Sequence, residues 1–259
     1  MPQLARSDLE SLLRTRRLDR TLTTALPPID PRDEYAIGPS GVMALDATMG
    51  GGLPRGQLSE LVGPRSSGRT SLLLRLLAAA TARGECVALV DALDMLDVES
   101  AAVAGVDLDR LLWVRGHVVP NHGRSGRDLN QRALAQAIRA FTLVLQAGQF
   151  GLVVLDLAEA PPDAVRRLPF TTWLRLQRLL EGCQTMGVLV GNEPMARSSA
   201  GLTLRVGVRA QHEGLRAEGS GLRFGSRLFE GLDIEARVVR ARAREDVGVA
   251  LATSTAAYV

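Results

Sequence analysis

Gly63-Pro64-Arg65-Ser66-Ser67-Gly68-Arg69-Thr70-Ser71 decides the fold of this chain. It matches G-x-x-x-x-G-K-[ST], in which backbone N–H groups wrap phosphates, the lysine reaches their outer oxygens and the hydroxyl ligates Mg²⁺. Both glycines and Thr70 are in register, and Arg69 stands where the pattern has lysine. Such a loop must follow a buried strand and open a helix. Residues 57–62 (Gln-Leu-Ser-Glu-Leu-Val) read as that strand. The run from Thr70 to Ala80 reads as a helix of strong formers. An ordinary Gly/Ser turn would not need both flanks. Further on, Gly151-Leu152-Val153-Val154-Leu155-Asp156 is an apolar strand ending in a carboxylate, the form of an Mg²⁺-positioning aspartate. If a nucleotide and Mg²⁺ bind, residues Gly63, Pro64, Arg65, Ser66, Ser67, Gly68, Arg69, Thr70 and Ser71 hold the phosphates, and Thr70 and Asp156 hold the metal.

Composition sets the limits. The 259 residues fit one large domain with a small appendage, and 46% hydrophobic residues supply a full core. Aromatics are only 3%, so that core is built from Leu, Val and Ala. No apolar run reaches the ~18 residues of a membrane span, and residues 1–8 lack the apolar region of a signal peptide. This points to a cytoplasmic protein. Cys86 falls in a strand pattern and Cys183 in a helix pattern, and both read as buried structural thiols. His117, His122 and His212 are scattered and form no ligand cluster. All 31 basic residues are arginine, a chain-wide bias that extends to Arg69. Arginine and lysine are still not interchangeable at a site built around a compact ammonium. A pI near 9.5 suits an acidic partner such as nucleic acid, although the net charge is only +3.

Along the chain, residues 7–24 read as a capped helix with Leu9, Leu12 and Leu13 on one face, a surface for docking a partner. Residues 25–31, with three prolines, read as a linker. The domain proper begins near residue 36. Strands are expected at 86–91, 111–115, 151–156 and 187–191, with helices near 95–104, 128–147 and 171–184 between them. Continuous apolar strands separated by helices imply an α/β fold, a mostly parallel sheet covered on both faces. Beyond residue 200 only strands are expected, at 202–212, 221–229, 233–243 and 247–253, and polar turns between them make this part antiparallel.

This arrangement, with Ile37–Asp46 and Gly50–Gln57 leading into the loop and Ala104–Leu112 after the second strand, resembles the RecA core. The resemblance covers residues 36 to 245. It implies ATP or ADP with Mg²⁺ as the ligand, and Asp97 as the adenine-contacting aspartate. It also shows departures. The family's water-activating glutamate is replaced by Leu93, and its base-stacking tyrosine by Ser100. Glu193 stands where the family senses the γ-phosphate with glutamine. The two segments that bind single-stranded DNA in the family, here 159–169 and 194–201, are short, leaving Arg166, Arg167 and Arg197 to reach phosphate. Arg240 and Arg242 fall where RecA has two lysines that reach ATP across the filament interface. They read equally as arginines on a solvated strand face.

With the catalytic groups replaced and the DNA segments short, the chain resembles the ImuA branch of RecA-like proteins. That resemblance implies a non-recombinogenic accessory of SOS-induced translesion DNA synthesis, with a degenerate nucleotide site and no catalytic residue. The implied partners are an ImuB-like Y-family polymerase homologue, RecA, an error-prone replicative-type polymerase and a second copy of the chain, with weak single-stranded DNA at most. The competing readings are an ATP-dependent recombinase or recombination mediator and, from the signalling class, a RecA-fold ATPase like those of circadian clocks.

Overall fold

The computed structural model describes residues 37–116, 124–196, 201–208, 231–241 and 247–254. After a short hairpin pairing β1 (Ile37–Gly38) with β2 (Leu53–Pro54) around helix α1 (Met43–Met49), the chain alternates strand and helix. The order is β3 (Leu58–Val62), α2 (Arg69–Ala82), β4 (Val87–Asp91), α3 (Val98–Val103), β5 (Leu111–Arg115), α4 (Arg124–Ala147), β6 (Leu152–Asp156), α5 (Pro162–Arg166), α6 (Phe170–Leu180) and β7 (Met186–Gly191). Three strands follow: β8 (Leu202–Val208), β9 (Gly231–Ala241) and β10 (Val247–Ser254). They join one eight-stranded sheet in the order β10-β9-β8-β3-β7-β6-β4-β5. The expected α/β architecture with a mostly parallel sheet is therefore present.

Strand alternation explains why helices cover both faces. Successive residues of a strand point to opposite sides. Val87, Leu89, Leu152 and Val154 join Leu72, Leu73, Leu76 and Leu77 of α2 in one cluster. Ala88, Val90, Val153 and Leu155 join Phe141 of α4 and Trp173, Leu176 and Leu180 of α6 in the other. The strands β3, β4 and β7 are buried at every position, so they could not be written as half-polar strands.

Three expectations are corrected: the direction of β8, the end of α6 and the burial of the two cysteines. The strand at 202–208 is parallel to β3, with Ser59 opposite Leu202 and Val62 opposite Arg205, and only its other edge is antiparallel, to β9. Strands β7 and β8 flank β3 on opposite sides, which the strand-only rhythm could not reveal. Helix α6 stops at Leu180 rather than 184, because the chain leaves helical geometry at Glu181 and Gly182 takes a φ of 79°. The connection 159–169 contains the short helix α5, which opens with Pro162 in its first turn, where a missing N–H costs nothing. Cys86 is exposed and Cys183 half-buried, since one precedes β4 and the other follows α6 in turns. The expected helix at 7–24, the linker and the strand at 221–229 lie outside the described residues. Among the described residues, no helix is long and apolar enough to cross a membrane.

Candidate functional site

Four parallel strands end side by side at one pole: β3 at Val62, β7 at Gly191, β6 at Asp156 and β4 at Asp91. In open parallel sheets this carboxyl end is where ligands bind. The loop leaves β3 at Gly63, whose N–H donates to the Gly191 carbonyl at 3.1 Å. A Cβ at Gly63 would collide with the Val206 carbonyl and Ser67, which explains the glycine. Ser66 and Gly68 adopt positive φ, 58° and 85°, and turn the loop into the first residue of α2. Thr70 and Ser71 are exposed in that first turn. The backbone of a phosphate loop is thus in place.

Arg69 is where the site departs from its pattern. The side chain is buried, 5% exposed, and folds back onto the protein. One terminal nitrogen, Nη1, donates to the carbonyl of Gly63, to the carbonyl of Gly191 at 3.1 Å and to Asn192 Oδ1 at 2.8 Å. The other, Nη2, lies 3.8 Å from Glu159 Oε1. Nε is buried without a partner, as is the Ser67 hydroxyl. A lysine carries a single terminal nitrogen on a flexible stem. The branched, planar guanidinium instead spans two strand ends at once. Burial pushes the Arg69 guanidinium below its ordinary value, while Asp156 and Glu159 oppose that shift.

Acidic groups surround the arginine. Glu159, in the connection after β6, bonds Arg65 of the loop through Oε2. The Arg65 pKa is raised by that bond. Asp156 accepts the Ala158 N–H at 2.8 Å and lies opposite Asp91 in the β4–β6 register. Burial pushes its carboxyl up to about 6, and Asp91 and Glu159 add to the shift while the Ala158 N–H and Arg69 oppose it. Asp91 is held by the Leu96 N–H at 2.8 Å and Trp113 Nε1 at 3.3 Å.

The residues singled out in the sequence are placed as follows. Gly63 to Ser71 form one loop, with Asp156 on the strand end beside it, within electrostatic reach of Arg69. Leu93 packs into the core with the α4 and α6 cluster and presents no proton acceptor. Asp97 caps α3, accepting from the Ser100 N–H at 3.2 Å and from the Ser100 hydroxyl, so both residues at the base-contacting positions bind each other. Glu193 is exposed and pairs with Arg166 at 3.3 Å instead of turning to the loop. Arg166 also lies 3.8 Å from Asp163, and Arg167 is exposed. Arg240 sits on β9 opposite Thr203. The side chain of Arg240, and all of Arg197, Arg242, Leu9, Leu12 and Leu13, lie outside the described residues.

Three residues of the site carried no sequence signal. Glu159 and Asn192 engage Arg69 only because β6 and β7 end beside β3. Glu60, on β3, is 1% exposed and accepts the N–H groups of Met195 and Ala196, both at 2.7 Å, and the Thr203 hydroxyl at 2.9 Å. It ties the loop strand to the segment after β7 and to β8.

The loop backbone and Thr70 fit a phosphate group with Mg²⁺. The Arg69 side chain, bound to carbonyls and faced by carboxylates, does not fit the role of an outer-phosphate clamp. Among the described residues, no cluster of His, Cys, Asp or Glu is suited to hold a metal by itself.

Comparison with known proteins agrees with this geometry. Residues 30–156 match the family described as the RecA N-terminal domain. The chain is similar to Protein RecA of Clavibacter michiganensis subsp. michiganensis, 38% identical over 132 residues, 51% of this chain and 32% of that protein. Protein RecA of Leifsonia xyli subsp. xyli is 34% identical over 157 residues, covering 55% and 40%. Protein RecA of Acholeplasma laidlawii is 38% identical over 128 residues, covering 49% and 34%. The chain thus spans about a third of the length of these relatives. Loop, sheet and sequence similarity together make this a RecA-like protein across its N-terminal half.

Proposed function

We propose that this chain is a non-recombinogenic RecA-like adaptor of SOS-induced translesion DNA synthesis, of the ImuA kind, with a degenerate nucleotide site. The observation that carries the reading is the state of Arg69. Catalysis of phosphoryl transfer depends on cations positioned at the transferring group and on a residue that orients the attacking water. Here Arg69 is committed to Gly63, Gly191 and Asn192, and Leu93 is a half-buried apolar side chain packed against the core. The loop amides, Thr70 and Asp156 remain, so weak binding of ATP or ADP with Mg²⁺ belongs to this reading and turnover does not. The partners are an ImuB-like Y-family polymerase homologue, RecA and an error-prone replicative-type polymerase in the bacterial cytoplasm, with self-association through the N-terminal residues Leu9, Leu12 and Leu13.

DNA affinity is low in this reading. Of the arginines available for phosphate, Arg166 already faces Glu193 and Asp163. Each phosphate contact contributes about 0.7 to the slope of log K against log salt for single strands. A chain with few contacts therefore has a shallow slope.

Similarity to proteins named RecA keeps one other reading in view, that of an ATP-dependent recombinase. A phosphate-release assay with and without single-stranded DNA separates the two. The adaptor reading expects no DNA-stimulated turnover, together with co-purification of the ImuB-like polymerase homologue. Turnover near ~1 s⁻¹ or faster, in the range of ordinary enzymes, would establish the recombinase instead.

A further inference from the structure

We propose that the Glu159 carboxylate is an internal ligand of the phosphate loop, occupying its two arginines and keeping phosphates out until it is displaced. The proposal rests on the loop being a degenerate nucleotide site and names how that site is regulated.

Three observations carry it. The first is the valence of Arg69. Nη1 is shared among three acceptors, so an incoming oxygen has only Nη2 and Nε to use. Glu159 Oε1 faces Nη2 at 3.8 Å, and Nε is buried with no partner. The edge of the guanidinium that a phosphate oxygen would take is therefore the edge the carboxylate faces. The second is the bridge. Glu159 Oε2 bonds Arg65, an 80% exposed side chain on the loop itself, so one carboxylate spans both cations of the loop. The third is that Glu159 is held in place. Its neighbour Ala158 donates its N–H to Asp156 and accepts from Asn192 Nδ2, each at 2.8 Å, and Asn192 is itself a ligand of Arg69. The Glu159 side chain is only 18% exposed.

A surface ion pair with Arg65 would contribute little by itself, about 0–1 kcal/mol, and would not need such a scaffold. A carboxylate set between the two guanidinium groups of the loop is placed as a phosphate would be, since both cationic donors favour an anion. It also adds a like charge next to any phosphate that binds. The loop is consequently closed by its own side chains, and ligand binding requires Glu159 to swing away from both arginines.

Calorimetric titration of the full chain with Mg-ADP and with pyrophosphate tests this. Glu159→Gln keeps the shape and removes the charge. It should tighten pyrophosphate about tenfold or more, the equivalent of ~1.4 kcal/mol. Glu159→Asp keeps the charge but shortens the reach, and should tighten binding by a smaller factor. Should the glutamine variant not fold, the aspartate variant alone decides. Unchanged or weaker affinity in the folded variants would overturn the proposal, as would failure of both to fold, which would make Glu159 a scaffold residue. ATP turnover by the unmodified chain would sink the degenerate-site reading on its own. An inert chain whose Glu159 variants bind no better would sink only the internal ligand.

Discussion

Two buried charges belong to the same stretch of chain, and their surroundings differ. Glu60 on β3 is 1% exposed, and its two oxygens accept three hydrogen bonds, from Met195, Ala196 and Thr203. Arg69 at the start of α2 is 5% exposed, yet it crowds three acceptors on one nitrogen and leaves Nε buried without a partner. A buried charge is tolerated when every lone pair or proton is satisfied. Glu60 has both oxygens partnered and works as scaffold, tying three segments together. Arg69 leaves that condition unmet, and its geometry is that of a side chain in a site shaped for another partner. Saturation distinguishes the charge that builds the fold from the charge that sits in a ligand position.

The strongest way to break this contrast is to truncate each charge. Glu60→Ala strands two buried N–H groups and a hydroxyl, and should cost about 3–5 kcal/mol in urea unfolding. A loss below ~1 kcal/mol would mean that Glu60 is no scaffold. Asp156 sharpens the comparison through pH. Its carboxyl is raised to about 6 in the folded chain from an ordinary 3.8, so the folded state holds the proton more tightly. Its contribution to stability is fully present below pH 3.8 and is lost as pH rises through 6, a loss of up to about 3 kcal/mol. Asp156→Asn should remove that dependence, which parallel unfolding curves at pH 4, 6 and 8 would show as a changing gap between variant and parent. A constant gap would count against a protonated Asp156. Arg69→Met should have the smallest effect, a loss of up to about 2 kcal/mol, because the Gly191 carbonyl keeps the Gly63 N–H and Glu159 keeps Arg65 as partners. A loss as large as that of Glu60→Ala would erase the distinction.

The fold was legible where the signal is local. The two glycines and hydroxyl of Gly63–Thr70, the flanking strand and helix, and the apolar run into Asp156 each depend on neighbours within a few positions. Asp97 shows the limit of the same reasoning. The resemblance to RecA implied a base contact there, whereas three residues from Ser100 is also helix-cap spacing, and the structure shows the cap. Direction and termination were less legible. The parallel run of β8 depends on which edge of β3 the chain reaches, and helix α6 ends at a turn that the apolar pattern overran.

The sequence by itself determined that a loop of the phosphate-binding pattern, with Arg69 at its lysine position, opens a helix inside a parallel α/β sheet, and the resemblance to RecA put Leu93 at the glutamate position. Backbone geometry of that kind is written in short-range steric and hydrogen-bonding preferences, which any reader of the chain can apply. Only the tertiary structure decided what surrounds the loop. Glu159 lies 94 positions from Arg65, and Asn192 lies 123 positions from Arg69. They meet because β6 and β7 end beside β3 at one pole of the sheet. Electrostatics depends on distance in space rather than along the chain, so these contacts became visible only after the strands were ordered.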